Sequence, residues 1–334
     1  MKLHRRLGVY LPLFAILSVF CVTLRTVALF YDYNIVDKFF DNKLLISTSN
    51  ITVFVGALVL LTFTFVSKKI RAVADFNNPA TYIPSGIVSV ALIFFFVECI
   101  STLSSKNGGL FSKDVLTTPS NLLLLIAGIM ALFCVFNFFF TVFYVQKKNE
   151  PRAGFGLLTA VFLAIYALYL YFDFKLPINS PNKLVDQMAF LFSACFFLFE
   201  TRISLGREKW RGYVSFGMIA AFISAYSSIP TIIYYIGKGQ LISDSFAETM
   251  VVFTLFVYIT ARVILVDFLL EDEKNSCVLA IEELSKMRSE ELALPSQERI
   301  DNKEGSFNTL GANYEINLHL TKKAEIAEDT EKEE

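Results

Sequence analysis

Two histidines, His4 and His319, are all that 334 residues contain, and both stand near the ends of the chain. Imidazole is therefore scarce for general-base catalysis or metal ligation. Five cysteines form no CxxC pair: Cys21, Cys99, Cys134 and Cys195 lie inside apolar runs, where the thiol behaves as a small hydrophobe, and Cys277 stands alone. Neither a disulfide framework nor a zinc site is implied. HExxH, GxxxxGK[ST] and GxSxG are all missing, which removes the usual signatures of zinc proteases, phosphate-loop enzymes and serine hydrolases. The expectation is a protein that is not an enzyme, with no catalytic residue, metal or cofactor. Charge is also sparse, at 18% of residues, below what a soluble two-domain protein carries.

What the chain has instead is apolar mass: 54% hydrophobic residues, 35 of them Phe, and a mean hydropathy of +0.54. A hydrocarbon layer about 30 Å thick takes roughly 20 helical residues to cross, and only a segment that satisfies its own backbone hydrogen bonds crosses it. Eight segments qualify, at approximately 7–31, 44–67, 82–104, 120–146, 153–172, 184–205, 213–236 and 246–270. The fold class is thus an all-α integral membrane protein, a bundle of eight transmembrane helices with short loops. MKLHRR before the first segment imitates a secretory signal, but Leu7 to Leu24 exceeds a usual signal core and no small-x-small site follows, so the first helix is read as retained.

Connector charge sets orientation. One side carries Lys2, Arg5, Arg6, then Lys68, Lys69, Arg71, then Lys147, Lys148, Arg152, and last Arg207, Lys209, Arg211. The other carries Lys38, Lys43, Lys106, Lys113, Lys175, Lys183 and Lys238. Twelve cations face seven, with no connector out of order. The expected placement is the plasma membrane with both termini cytoplasmic, and Trp210 and Tyr213 at the headgroup layer. Gly86, Gly156 and Gly217 each open the helix after a basic turn, which suggests a repeat of three helical hairpins whose small residues allow close backbone approach.

Ionisable groups inside lipid are expensive, at roughly 2.5–3.5 kcal/mol each on an insertion scale, and so mark structure or function. Arg25 and Glu98 stand at similar depth in the outer half with opposite sign, and a salt bridge between them is expected. The seventh helix is the most polar: Tyr226, Ser227, Ser228, Thr231 and Tyr234 surround Pro230. With Arg25, Glu98 and Glu248 they form the candidate binding site, either lining a cavity or repairing the backbone at the proline. Glu200, Arg202, Arg262 and Asp267, near the inner side, are read as a structural charge network. Asn50 opens an NIT glycosylation signal too close to the lipid to carry weight.

Residues 271–334 hold 8 Lys/Arg against 17 Asp/Glu, leaving the membrane part about +8 and the tail −9. That sign argues against nucleic acid. Residues 271–294 read as a cytoplasmic amphipathic helix and 295–334 as an acidic, disordered tail suited to a cytoplasmic protein partner. Two functions fit: a membrane receptor or scaffold with an acidic partner-binding tail, or a small-solute secondary transporter with an outward-facing polar cavity near helices one, three and seven.

Overall fold

The computed structural model describes residues 7–269 except 36, 42, 67–70, 75–78, 106–116, 144–149, 174–179, 206–208, 243 and 244. Among the described residues eight long helices carry the architecture: α1 Leu7–Asp32, α2 Lys43–Val66, α3 Tyr82–Ser104, α4 Pro119–Phe143, α5 Glu150–Phe172, α6 Pro181–Ser204, α7 Trp210–Lys238 and α8 Phe246–Ile264. All eight are long and apolar enough to cross a membrane, which makes this a multi-pass membrane protein in character. Their exposed surface is rich in Phe, Leu, Ile and Val, as at Val19, Phe54, Phe94 and Leu168, the composition lipid tails accept.

Consecutive helices from α3 to α8 pack on one another, and α3 closes onto α8; α1 and α2 pack together and against α7. Helix α7 is consequently covered on several sides, and most of its residues from Trp210 to Thr231 are buried. The hydroxyls of α7 therefore meet protein rather than lipid. Cross-helix contacts show an alternating arrangement. The C-terminal parts of α1, α3, α5 and α7 meet the N-terminal parts of α2, α6 and α8 at one end, here the far end. The C-terminal parts of α6 and α8 meet at the other, near end.

Among the described residues two antiparallel ribbons accompany the helices. In the connector after α1, β1 (Tyr33–Asn34) pairs with β2 (Phe39–Phe40). Between α2 and α3, β3 (Arg71–Ala74) pairs with β4 (Val266–Leu269), Val73 opposite Asp267. The eighth helix therefore stops at Ile264 rather than running to 270, and Asp267 is a strand residue. Residues 266–269 find their backbone partners in β3, so the apolar run does not need to stay helical. Residues 271–294 and 295–334 lie outside the described residues.

Pro230 does not end α7. Ser228 Oγ donates to Ser224 O at 2.7 Å and Thr231 Oγ1 to Ser227 O at 2.8 Å; neither reaches the Tyr226 carbonyl that a proline at 230 leaves without its amide. The helix closes with Gly239, whose φ of 68° places it in the left-handed cap conformation that favours glycine, its amide on Tyr235 O at 2.8 Å.

The glycine repeat divides two to one. A Cβ on Gly156 would stand 2.6 Å from Thr201 Oγ1, and one on Gly217 2.5 Å from Val263 Cγ2, so both sit at close helix contacts; one on Gly86 would meet nothing within 4 Å. Moreover, α2 packs on α1 and α7 and α3 on α4 and α8, whereas the α4–α5 and α6–α7 pairs pack as hairpins.

Candidate functional site

Polar side chains gather at the far end, and the start of α8 shows how. Ser245 is the N-cap, its Oγ accepting from Glu248 N at 2.9 Å. SFAE at 245–248 has the capping-box spacing, in which the glutamate turns back to the start of its own helix. Here Glu98 from α3 serves that start instead, accepting from Ala247 N at 3.0 Å through Oε2. A carboxylate at a helix N-terminus gains from the unpaired amides and the dipole. Glu248 is thereby released to point inward, where the buried Tyr166 hydroxyl donates to its Oε2 at 2.9 Å. Tyr166 is held by edge-on contacts with Phe95 and Phe190, ring centroids 4.9 and 4.8 Å away.

The Arg25–Glu98 salt bridge expected from matching depth does not form. Arg25, 1% exposed, donates through Nη2 to Asn182 Oδ1 at 2.9 Å, and its guanidinium carbon lies 4.6 Å from the centre of the Tyr226 ring, a distance at which a cation and an aromatic face attract. Its Nε and Nη1 have no hydrogen-bond partner among the described residues, nor has Asn182 Nδ2. Equal depth says nothing about direction around the bundle: α1 packs on α2 and α7, while α3 packs on α4 and α8.

Among the described residues these side chains line two small cavities. The first is lined by Arg25, Asn182, Asp186, Ser227, Thr231 and Glu248, with Thr249 beside them, and has room for about one water. The second is lined by Glu98, Thr102, Tyr166, Tyr169, Asp173 and Glu248, with room for a few. Glu248 belongs to both. The hydroxyls of α7 and the carboxylate of Glu98 thus do not share a cavity; they are connected through Glu248.

Of the eight candidate residues, Arg25, Ser227, Thr231 and Glu248 line the first cavity and Glu98 the second. Tyr226 stands behind Arg25, its hydroxyl donating to Asn50 Oδ1 at 2.8 Å and in contact with Ser49 Oγ at 2.7 Å. That bond places Asn50 in the packing of α2 against α7. Ser228 is spent on its own helix, and Tyr234 joins a separate apolar cluster with Ala28, Leu29 and Phe40.

Three important residues escaped the sequence reading. Asp186 accepts from Ser227 Oγ, yet it follows the polar start PNKLV of α6 and so resembles an ordinary interfacial charge. Lys183, counted above as a connector cation, is 3% exposed in the first turn of α6 and donates to the carbonyls of Asp173 and, at 3.4 Å, Tyr171. It closes the end of α5, as a cation at a helix C-terminus does. Tyr166 is hidden among the aromatics of YALYLYF.

At the near end, Glu200 and Arg262 form a buried ion pair: Nε donates to Oε1 at 2.9 Å, Nη2 reaches the same oxygen, and the Tyr258 hydroxyl donates to it at 3.1 Å. Arg202 is exposed and Asp267 lies on β4, so this pair is the centre of the expected four-residue network. Among the described residues no group of three His, Cys, Asp or Glu could hold a metal ion. No protein-family model, curated protein or solved structure matches the chain.

Proposed function

We propose that the chain is a plasma-membrane receptor or scaffold that crosses the bilayer eight times with both termini cytoplasmic. In this reading the bundle is the anchored sensing body and the acidic residues 271–334 engage a cytoplasmic protein partner. The observation that carries it is the closeness of packing around α7: the cavity at its polar groups has room for about one water and the neighbouring one, away from α7, for a few, and a path for a solute needs far more room. The far end is then external, since the basic connectors lie at the opposite end. The three-hairpin repeat enters this reading only as a common design for α4–α5 and α6–α7.

A small-solute transporter is the second reading, favoured by one specific feature: the unsatisfied donors of Arg25 in a cavity that shares Glu248 with another. Truncation decides between them. Cells lacking the protein are complemented with the full chain or with a chain ending at Leu270. A tail-dependent scaffold restores the phenotype only when full length; equal rescue by the truncated bundle contradicts it and supports transport.

A further inference from the structure

The first cavity faces one guanidinium and two carboxylates. Arg25 comes from α1, Asp186 from α6 and Glu248 from α8, while α7 contributes the neutral Ser227 and Thr231. Arg25 and Glu248 are buried and Asp186 is half-buried; an uncompensated charge there is unfavourable, so a site with one cation and two acids reaches neutrality by taking up one more positive charge. The surrounding groups leave that surplus in place. Glu98, from α3, is committed to the positive start of α8. Lys183 is engaged with the carbonyls at the end of α5, beside Asp173. Tyr166 donates to Glu248, Tyr169 to Asp173 at 3.4 Å, and Tyr226 to Asn50.

Size and neighbours identify the occupant. Room for about one water excludes an organic cation or a hydrated ion. The unpartnered Nε and Nη1 of the buried Arg25 call for an acceptor in the same space, and a metal ion beside a guanidinium meets like charge. A proton meets both requirements: carried on one carboxyl, it leaves the other to balance Arg25 and leaves the cavity to a water that accepts from the guanidinium. Glu248 also walls the second, roomier cavity, which reaches Asp173 at the end of α5, so a chain of acids leads toward the far end.

We propose that Asp186 and Glu248, facing Arg25 across the first cavity, form a binding site for one exchangeable proton. The site lies within the bundle and is independent of the tail, so its failure would leave the receptor-or-scaffold reading standing. Infrared spectra of the full-length protein in lipid nanodiscs test it at neutral pH. The expected result is a protonated-carboxyl band in the wild type that either Asp186→Asn or Glu248→Gln removes or shifts. Either substitution suffices if the other does not fold. As a second measure, wild-type stability falls as pH rises, because the folded state holds a proton that the unfolded state releases; a one-proton difference changes the folding equilibrium up to about tenfold per pH unit. The slope flattens in Glu248→Gln, whose amide mimics the protonated acid. A wild type with no carboxyl band sensitive to these substitutions overturns the proposal. So does a melting temperature that follows sodium replaced by choline at fixed pH and not pH itself.

Discussion

The two ends of the bundle handle buried charge in opposite ways. At the near end, among the described residues, an acid meets a base: Arg262 offers two nitrogens to Glu200, Tyr258 adds a hydroxyl, and Gly156 and Gly217 let the helices close around them. At the far end a single arginine faces several acids, two of its nitrogens are without partners among the described residues, and cavities persist. A matched, hydrogen-bonded pair in a tight setting is a brace. A mismatched cluster beside space has something left to bind. The difference teaches that counting charges in membrane helices is less informative than asking which of them have their hydrogen-bonding capacity filled.

The largest effect separating the ends should come from breaking the brace. Glu200→Ala strands a buried guanidinium and is expected to destabilise the fold by about 3–5 kcal/mol, read as a lower thermal unfolding midpoint in detergent; adding Arg262→Met should recover much of the loss. Tyr166→Phe removes the donor to Glu248 while keeping the ring. A hydrogen bond to a charged group contributes about 1.5–3 kcal/mol, so a loss at the top of that range implies an ionised Glu248 and a much smaller one a neutral acid. Gly217→Ala should cost about 1–3 kcal/mol through overpacking against Val263 and Phe196. The smallest cost belongs to Gly86→Ala, which should be neutral or stabilising by up to about 1 kcal/mol, since a methyl there meets nothing and alanine suits a helix better than glycine. Equal responses at Gly86 and Gly217 would restore the threefold repeat that packing divides.

The helices were legible because lipid imposes one requirement on every residue it touches, and a run such as LLLLIAGIMALFCVF at 122–136 meets it without help from the rest of the fold. The end of α8 was not, because Val266–Leu269 is as apolar as a helix turn and its strand pairing depends on a segment nearly 200 residues earlier. Arg25, Ser227 and Glu248 stood out as polar groups in oily surroundings. Their partners did not: Asp186 and Lys183 occupy a helix start, where charge is ordinary, and only the gathering of α5, α7 and α8 round them makes Lys183 buried and Asp186 half-buried. Depth can be read along one helix; direction requires knowing the neighbours, which is why Arg25 was matched to Glu98 rather than Asn182.

The most direct test asks which end of the bundle faces outward. Asp37, exposed in the turn between β1 and β2, and Arg202, exposed at the near end of α6, are each replaced by cysteine and treated on intact cells with a membrane-impermeant maleimide, against the unsubstituted chain. Labelling of Asp37→Cys at once, and of Arg202→Cys only after the membrane is opened, is the predicted result. Immediate labelling of Arg202→Cys, alone or together with Asp37→Cys, would contradict it.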